Sequence, residues 1–296
     1  VTKDDIRAQL TAAGLDPDAI SGLIDAAIAE DLAGGVDVTT MATVPAEQRS
    51  QLDLVARAPG VVAGIPIAAL VFENVAASAG SPVDASQDRS DGDAVVAGDV
   101  LLSIRGRTRD LLTAERTALN LLCHLSGVAT ATAKWAVALS GSQTRVRDTR
   151  KTTPLLRSLE KYAVRCGGGV NHRMALSDAA LVKDNHVVAA GGVAAAFEAV
   201  RSQFPGIPVE VEVDSLDQLD EVVAAGADLV LLDNFTADQM TEAVRRVGGR
   251  VLLEASGGLT LSDAPAVAAT GVDYVAVGAL THSAPVLDIG ADLESI

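Results

Sequence analysis

The sequence predicts an α/β fold, an incomplete (open) βα barrel preceded by an N-terminal α/β region. Three observations carry this expectation. After Gly141, short β-rich apolar runs alternate with helical segments, the pattern of parallel βα units. The runs number six, where a closed barrel of this kind has eight. Ahead of Gly141 the order differs, with helices first and period-two alternation after them.

Residues 4–13 and 18–32 place apolar side chains at helical spacing, with Gly14 and Gly34 as stops. From Gln51 the pattern alternates. Leu52, Leu54 and Ala56 face one way, and Pro59-Gly60 turns the chain. Residues 91–102 read as strand, turn, strand around Gly98, a structural hairpin with the outline of a lipoyl-type hammerhead but no lysine at its tip. Residues 111–139 predict a long helix interrupted at Gly127. The six runs are 144–149, 180–184, 209–213, 229–233, 251–255 and 274–277. Helical segments fall at 154–166, 193–203, 216–225, 237–247 and 261–270. These intervals are too short to hide two more strands, so the N-terminal region of this subunit or a partner is expected to cover the gap.

A chain of 296 residues can bury a large core in one or two domains. Aromatic residues make up only 2%, so that core must come from Ala, Val, Leu and Ile. Cys123 and Cys166 are too few for a disulfide framework and read as buried free thiols. No basic-then-apolar N-terminal segment and no apolar run of membrane-spanning length is present, so a cytoplasmic protein without a membrane partner is expected. The formal charge of -16 would repel a nucleic acid. Residues 145–183 run against that background, with Arg145, Arg147, Arg150, Lys151, Arg157, Lys161, Arg165, Arg173 and Lys183 concentrated there. Arginine forks suit carboxylates and phosphates, which predicts a small, multiply anionic substrate. Arg157, Lys161 and Arg165 recur at helical spacing and predict a solvated helix face.

In parallel βα folds the active site forms at the C-terminal strand ends. In order these give Arg147, Asp148, Thr149, Arg150 and Lys151; Lys183, Asp184, Asn185 and His186; Glu210, Glu212 and Asp214; Asp233 and Asn234; Glu254, Ser256, Gly257 and Gly258; and Gly278. Ser256-Gly257-Gly258 and Val277-Gly278-Ala279 are glycine turns on the last two strands, where backbone N–H groups can approach a phosphate. Arg150, Arg173 and Lys183, with His172, are placed to converge on carboxylates. Glu210 and Glu212 lie two apart and so share a face, where Asp233 can join them to hold Mg²⁺ or sugar hydroxyls. His124 and His282 have no neighbouring motif and read as structural. Lys183 could instead form a Schiff base, as in barrel aldolases.

Six segments together resemble the quinolinate phosphoribosyltransferase family: Arg147-Asp-Thr-Arg-Lys-Thr-Thr-Pro154, Gly167-Gly-Gly-Val-Asn-His-Arg173, Leu181-Val-Lys-Asp-Asn-His186, Val209-Glu-Val-Glu-Val213, Leu231-Leu-Asp-Asn-Phe235 and Glu254-Ala-Ser-Gly-Gly258. The resemblance runs through essentially the whole chain. It implies an N-terminal α/β sandwich domain, residues 1–116 with a C-terminal tail from about 283 to 296, packed on an open barrel of residues 117–282. It implies a homodimer with shared active sites, or a higher oligomer, in which Arg116 reaches the neighbouring pocket. The implied reaction joins quinolinate to 5-phosphoribosyl 1-pyrophosphate and releases nicotinate mononucleotide, pyrophosphate and CO₂. Arg116, Thr149, Arg150, Lys151, His172, Arg173 and Lys183 are implied to bind substrate. Ser256, Gly257, Gly258, Val277, Gly278 and Ala279 are implied to bind the donor's phosphate. Lys151, Lys183, Glu212 and Asp233 are the implied catalytic set, and Glu212 and Asp233 meet indirectly the Mg²⁺ carried by the donor. No organic cofactor is implied. Rival readings are a molybdenum-transport-associated paralogue, a non-catalytic phosphosugar-binding barrel, and the Schiff-base aldolase.

Overall fold

Capping side chains set the first helices. The structure, a computed structural model, describes all residues from Val1 to Ile296. In α1 (Lys3–Ala12), Thr2 and Asp5 cap each other reciprocally. In α2 (Pro17–Leu32), Asp16 accepts from the N–H groups of Asp18 and Ala19, and Pro17 opens the first turn. A short α3 (Val38–Thr43) follows, capped by Asp37. Strand β1 (Arg49–Ala56) buries Leu52, Leu54 and Ala56, as its alternation predicts. Next come β2 (Gly60–Val61) and α4 (Ile65–Ser78). The N–H groups of Gly64 and Ile65 donate to Asp91 at 2.8 and 2.9 Å, and the Tyr162 hydroxyl donates to the same carboxylate at 2.7 Å. Then come β3 (Asp84–Gln87), β4 (Ala94–Val95), β5 (Val100–Arg107) and α5 (Thr108–Ala138).

Two expectations fail in this region. The 91–102 segment is not a self-paired hairpin. Its first strand, β4, pairs with β2, and β5 pairs with β1 and β3. Gly98 at φ 95 redirects the chain, and its N–H donates to Ala56 O while Ala56 N–H donates to Asp99 O. Gly127 does not interrupt α5. Its missing side chain instead admits the C-terminal tail, because a Cβ there would run into the Pro285 carbonyl and sit 2.9 Å from Val286 Cα. Backbone cannot yield cheaply, so Gly127→Ala is expected to cost about 1–3 kcal/mol. Thermal melting should show a midpoint lower by several degrees with helix content unchanged.

The second half supplies β6 (Arg145–Arg147), α6 (Arg157–Cys166), β7 (Ala180–Val182), α7 (Asp184–Ala190), α8 (Val193–Gln203) and β8 (Val209–Val213). It continues with α9 (Leu216–Ala224), β9 (Leu229–Asp233), α10 (Ala237–Val247), β10 (Leu252–Ser256), α11 (Ala264–Thr270), β11 (Tyr274–Ala276) and α12 (Ala279–His282). Six parallel strands stand in the order β6-β11-β10-β9-β8-β7. The first two of these six in chain order, β6 and β7, occupy opposite edges and do not pair, which is the opening of the barrel. The last strand, β12 (Ile289–Ser295), joins the other sheet, of order β12-β1-β5-β3, by pairing antiparallel with β1.

The chain divides into two compact units, residues 1–131 with 158–167 and 284–296, and residues 132–157 with 168–283. The expected boundary at 116/117 falls inside α5, whose unbroken turns carry the first unit further along the chain. The basic row on α6 is not a solvated face. Lys161 is fully buried, Arg157 is half-buried and Arg165 is exposed. Leu159, Glu160, Ala163 and Val164 are buried with Lys161, so α6 hides most of its circumference, and charge spacing alone does not reveal that. His124 has a partner, Glu160 Oε1, at 2.8 Å from its Nε2. Both cysteines are free but only half-buried. No helix is long and apolar enough to cross a membrane.

Candidate active site

The parallel register brings charged side chains to one level of the six-stranded sheet. Glu212 stands opposite Leu231, Leu231 opposite Glu254, and Glu254 opposite Tyr274. Nearer the strand ends, Asp233 stands opposite Ser256. Lys183 Nζ reaches Glu212 Oε2 at 2.8 Å. Burial, and then the Glu212 charge, hold Asp233 above the usual carboxylate range despite Lys183.

Asn234 follows Asp233 with a left-handed backbone, φ 56, and its Nδ2 donates to Asp233 Oδ2 at 2.8 Å. Gly257, at φ 110, has no room for a Cβ beside the Asn234 side chain. With Gly258 at φ 60, it gives the turn after β10 a shape that other residues would strain. The second glycine turn has a different cause. A Cβ on Gly278 would lie 3.0 Å from Lys151 Cδ and 3.3 Å from His282 Nε2, so this glycine makes room for Lys151. Thr281 Oγ1 donates to Lys151 O at 2.8 Å, and Lys151 N–H donates to Thr149 Oγ1 at 3.0 Å. Val277, expected in the same turn, donates its N–H to Arg147 O at 2.9 Å in strand pairing.

Arg150 and Arg173 are the unfinished part of the site. The Nε atom of each is buried without a hydrogen-bond partner. Arg173 Nη1 donates to Ala179 O at 3.0 Å. Burial, and then the neighbouring Arg150 charge, hold the Arg173 guanidinium below its usual range. Two like charges set close together, each with an orphaned donor, favour an anion that bridges them.

His172 precedes Arg173 in the chain and is buried. Arg173 N–H donates to His172 Nδ1 at 2.7 Å, which assigns the ring proton to Nε2. That nitrogen lies 2.6 Å from Glu210 Oε2 and 3.8 Å from Glu254 Oε1. His172, expected beside the substrate, thus has its Nδ1 turned to the Arg173 N–H and its Nε2 turned to Glu210. Arg147 Nη1 donates to Glu254 Oε2 at 2.6 Å and lies 4.0 Å from Glu210 Oε1, with the guanidinium 4.6 Å above the Tyr274 ring. Burial, and then Glu210, push Glu254 well up, against the pull of Arg147. His172, Glu210 and Glu254 bring ligand atoms within 4.8 Å of one another, a spacing that could hold a metal. The Arg147 guanidinium already serves those carboxyls, and an ion would have to displace it. Glu212 and Asp233, hard oxygen donors at the strand ends, suit a divalent metal better.

Arg147 and Glu254 stand at strand ends in the sequence pattern, but neither is among the expected site residues. The available signal was spacing, since Arg145 and Arg147, like Glu210 and Glu212, lie two apart on a short apolar strand. Arg116 is exposed on α5 in the first unit.

Residues 37–126 match the N-terminal domain and residues 128–292 the C-terminal domain of quinolinate phosphoribosyl transferase. A nicotinate-nucleotide pyrophosphorylase [carboxylating] of Mycobacterium leprae is 53% identical over 279 residues, covering 93% of this chain and 98% of that protein. The NadC structure from Streptococcus pyogenes is 41% identical with a TM-score of 0.90, covering 95% of this chain and 99% of that one. The nicotinate-nucleotide pyrophosphorylase structure from Francisella tularensis is 37% identical with a TM-score of 0.89, covering 94% and 96%. Two matched domains in the expected order, the second holding the open six-stranded parallel sheet, leave one conclusion: the chain belongs to the quinolinate phosphoribosyltransferase family.

Proposed function

We propose that Arg150 and Arg173 bind the adjacent carboxylates of quinolinate in the reaction of this family. The chain is a decarboxylating pentosyltransferase of NAD synthesis, joining quinolinate to 5-phosphoribosyl 1-pyrophosphate and releasing nicotinate mononucleotide, pyrophosphate and CO₂. One observation carries the residue assignment: the two buried, partnerless Nε donors. A dicarboxylate supplies acceptors for both and relieves the repulsion between the guanidinium groups.

Lys183 and Lys151 complete the cationic lining. Lys151, held against Gly278, meets the donor's pyrophosphate. The turns at Ser256-Gly257-Gly258 and Gly278-Ala279 receive its 5-phosphate. Glu212 and Asp233 hold the ribose hydroxyls and, through water, Mg²⁺, which when bound neutralises the pyrophosphate. As pyrophosphate leaves, positive charge grows on the ribose C1. The two carboxylates stabilise that charge while the arginines aim the pyridine nitrogen at it. The cationic ring nitrogen then draws in the electrons released by decarboxylation. No side chain needs to act as a covalent nucleophile, and Lys183 pairs with Glu212 instead of standing free for Schiff-base chemistry.

The active unit in this reading is a homodimer in which Arg116 completes the partner's site. Leu155, Leu176 and Val188 are 89%, 70% and 81% exposed in the loops and helix that follow β6 and β7, apolar surface suited to being covered. The test of the reaction is release of labelled CO₂ from carboxyl-labelled quinolinate. Release is expected only with both the phosphoribosyl donor and Mg²⁺ present, and a chelator should abolish it. Donor-independent release, or none at all, would overturn the proposal.

A further inference from the structure

Beneath the strand-end residues lies a buried polar set that the reaction above leaves unused: Arg147, Asp148, Glu210 and Glu254, grouped around His172. Asp148 and Glu254 are fully buried, and the Arg147 side chain is 13% exposed. Burying charge costs several kcal/mol per ion, and apolar side chains of equal volume often stabilise a fold better. What such a set does provide is one fixed geometry, and its bonds lead to the part that is fixed.

The segment holding His172 and Arg173 has little regular structure of its own. It lies along β6, an edge strand, through a single bridge between Arg147 and Val170. In a closed barrel a neighbouring strand would continue that pairing. Here side chains take over. Asp148 accepts the His172 N–H at 2.8 Å and the Asn171 Nδ2 at 2.5 Å. Glu210 on β8 meets the His172 ring on one side, and Arg173 N–H meets it on the other. Arg147 reaches over Tyr274 on β11 to Glu254 on β10. The other oxygens, Glu210 Oε1 and Glu254 Oε1, are buried without hydrogen-bond partners, so loss of the guanidinium takes from the Glu254 carboxyl its hydrogen bond at Oε2 and from Glu210 the nearest positive charge on that side.

We infer that Arg147, Glu210 and Glu254 are positioning residues for the phosphoribosyl transfer: they hold the His172 ring, and through it the Arg173 backbone, where Arg173 meets quinolinate. This rests on the reading of Arg173 as a quinolinate-binding residue. None of the three touches substrate.

The experiment compares Arg147→Met, Arg147→Lys, Glu254→Ala and Glu254→Gln with Arg173→Ala, measuring kcat and KM for each substrate at saturation of the other, with melting temperatures alongside. Arg147→Met and Glu254→Ala are expected to raise KM for quinolinate about tenfold, leaving KM for the donor near its original value. Glu254→Gln keeps an acceptor for Arg147 and is expected to restore most of the loss. Should Arg147→Met fail to fold, Arg147→Lys keeps the charge without the reach across Tyr274 and should show the same selective rise. If Arg173→Ala leaves quinolinate kinetics intact, the underlying reading of Arg173 fails. If Arg173→Ala impairs them but the Arg147 and Glu254 variants do not, the positioning role is overturned. Equal losses for both substrates, or a lower melting temperature with unchanged KM values, overturn it too.

Discussion

Arg173→Ala is expected to lower kcat/KM for quinolinate by about a thousandfold, with Arg150→Ala close behind. A hydrogen bond from a charged donor contributes roughly 1.5–3 kcal/mol, and a fork supplies two of them. A loss of about 4 kcal/mol corresponds to roughly three powers of ten in rate. Each arginine has a buried Nε donor that no protein group satisfies, so a bound carboxylate would supply the acceptor. Lysine should not restore activity at either position, because a single ammonium cannot reproduce two parallel donors. Stability should move the other way. Burial and the Arg150 charge weigh on Arg173, so removing either arginine relieves repulsion, and the melting temperature should hold or rise. Steady-state kinetics with thermal melts checks both halves. A loss of only a few fold in kcat/KM would mean that these arginines do not grip the dicarboxylate.

The strand ends were legible in the sequence because their pattern is local. A short apolar run such as Val209–Val213, with Glu210 and Glu212 two apart, announces a parallel strand and the face its carboxylates share. The same arithmetic found all six barrel strands and, by their number, the opening. Lys161 was misjudged because helical spacing reports which residues share a face, and not what that face meets. Gly127 was misjudged because its reason is the Pro285 backbone, far away in the chain. The bond from Arg147 to Glu254 was invisible for a similar cause. It crosses an intervening strand and depends on Tyr274 as a platform, a relation between positions 107 residues apart in sequence. The tautomer of His172 is likewise set only in the folded chain, by the direction of the Arg173 N–H.

Mixing two inactive variants should restore activity. Arg116→Ala and Lys183→Ala, each assayed alone, are expected to retain about a hundredth of the activity or less if, as proposed, each removes a cation from the site that holds two polyanions. If Arg116 completes the partner's site, a dimer of one chain of each kind has one pocket with both lesions and one with none. Random exchange makes half the dimers mixed, and half of their pockets intact, so recovery should approach about a quarter of the original activity. If Arg116 serves its own subunit, every pocket keeps one lesion and nothing returns. The two arrangements therefore differ by more than tenfold in a single assay, well beyond any uncertainty in protein concentration. Mixing must be shown independently, by co-purification through a tag carried on only one variant. The positions suit the test, because Arg116 is exposed on α5 in the first unit while Lys183 stands just after β7 in the second. Absence of recovery in a preparation proven to be mixed would place Arg116 outside the partner's pocket. The cover for the opening between β6 and β7 would then have to come from another surface.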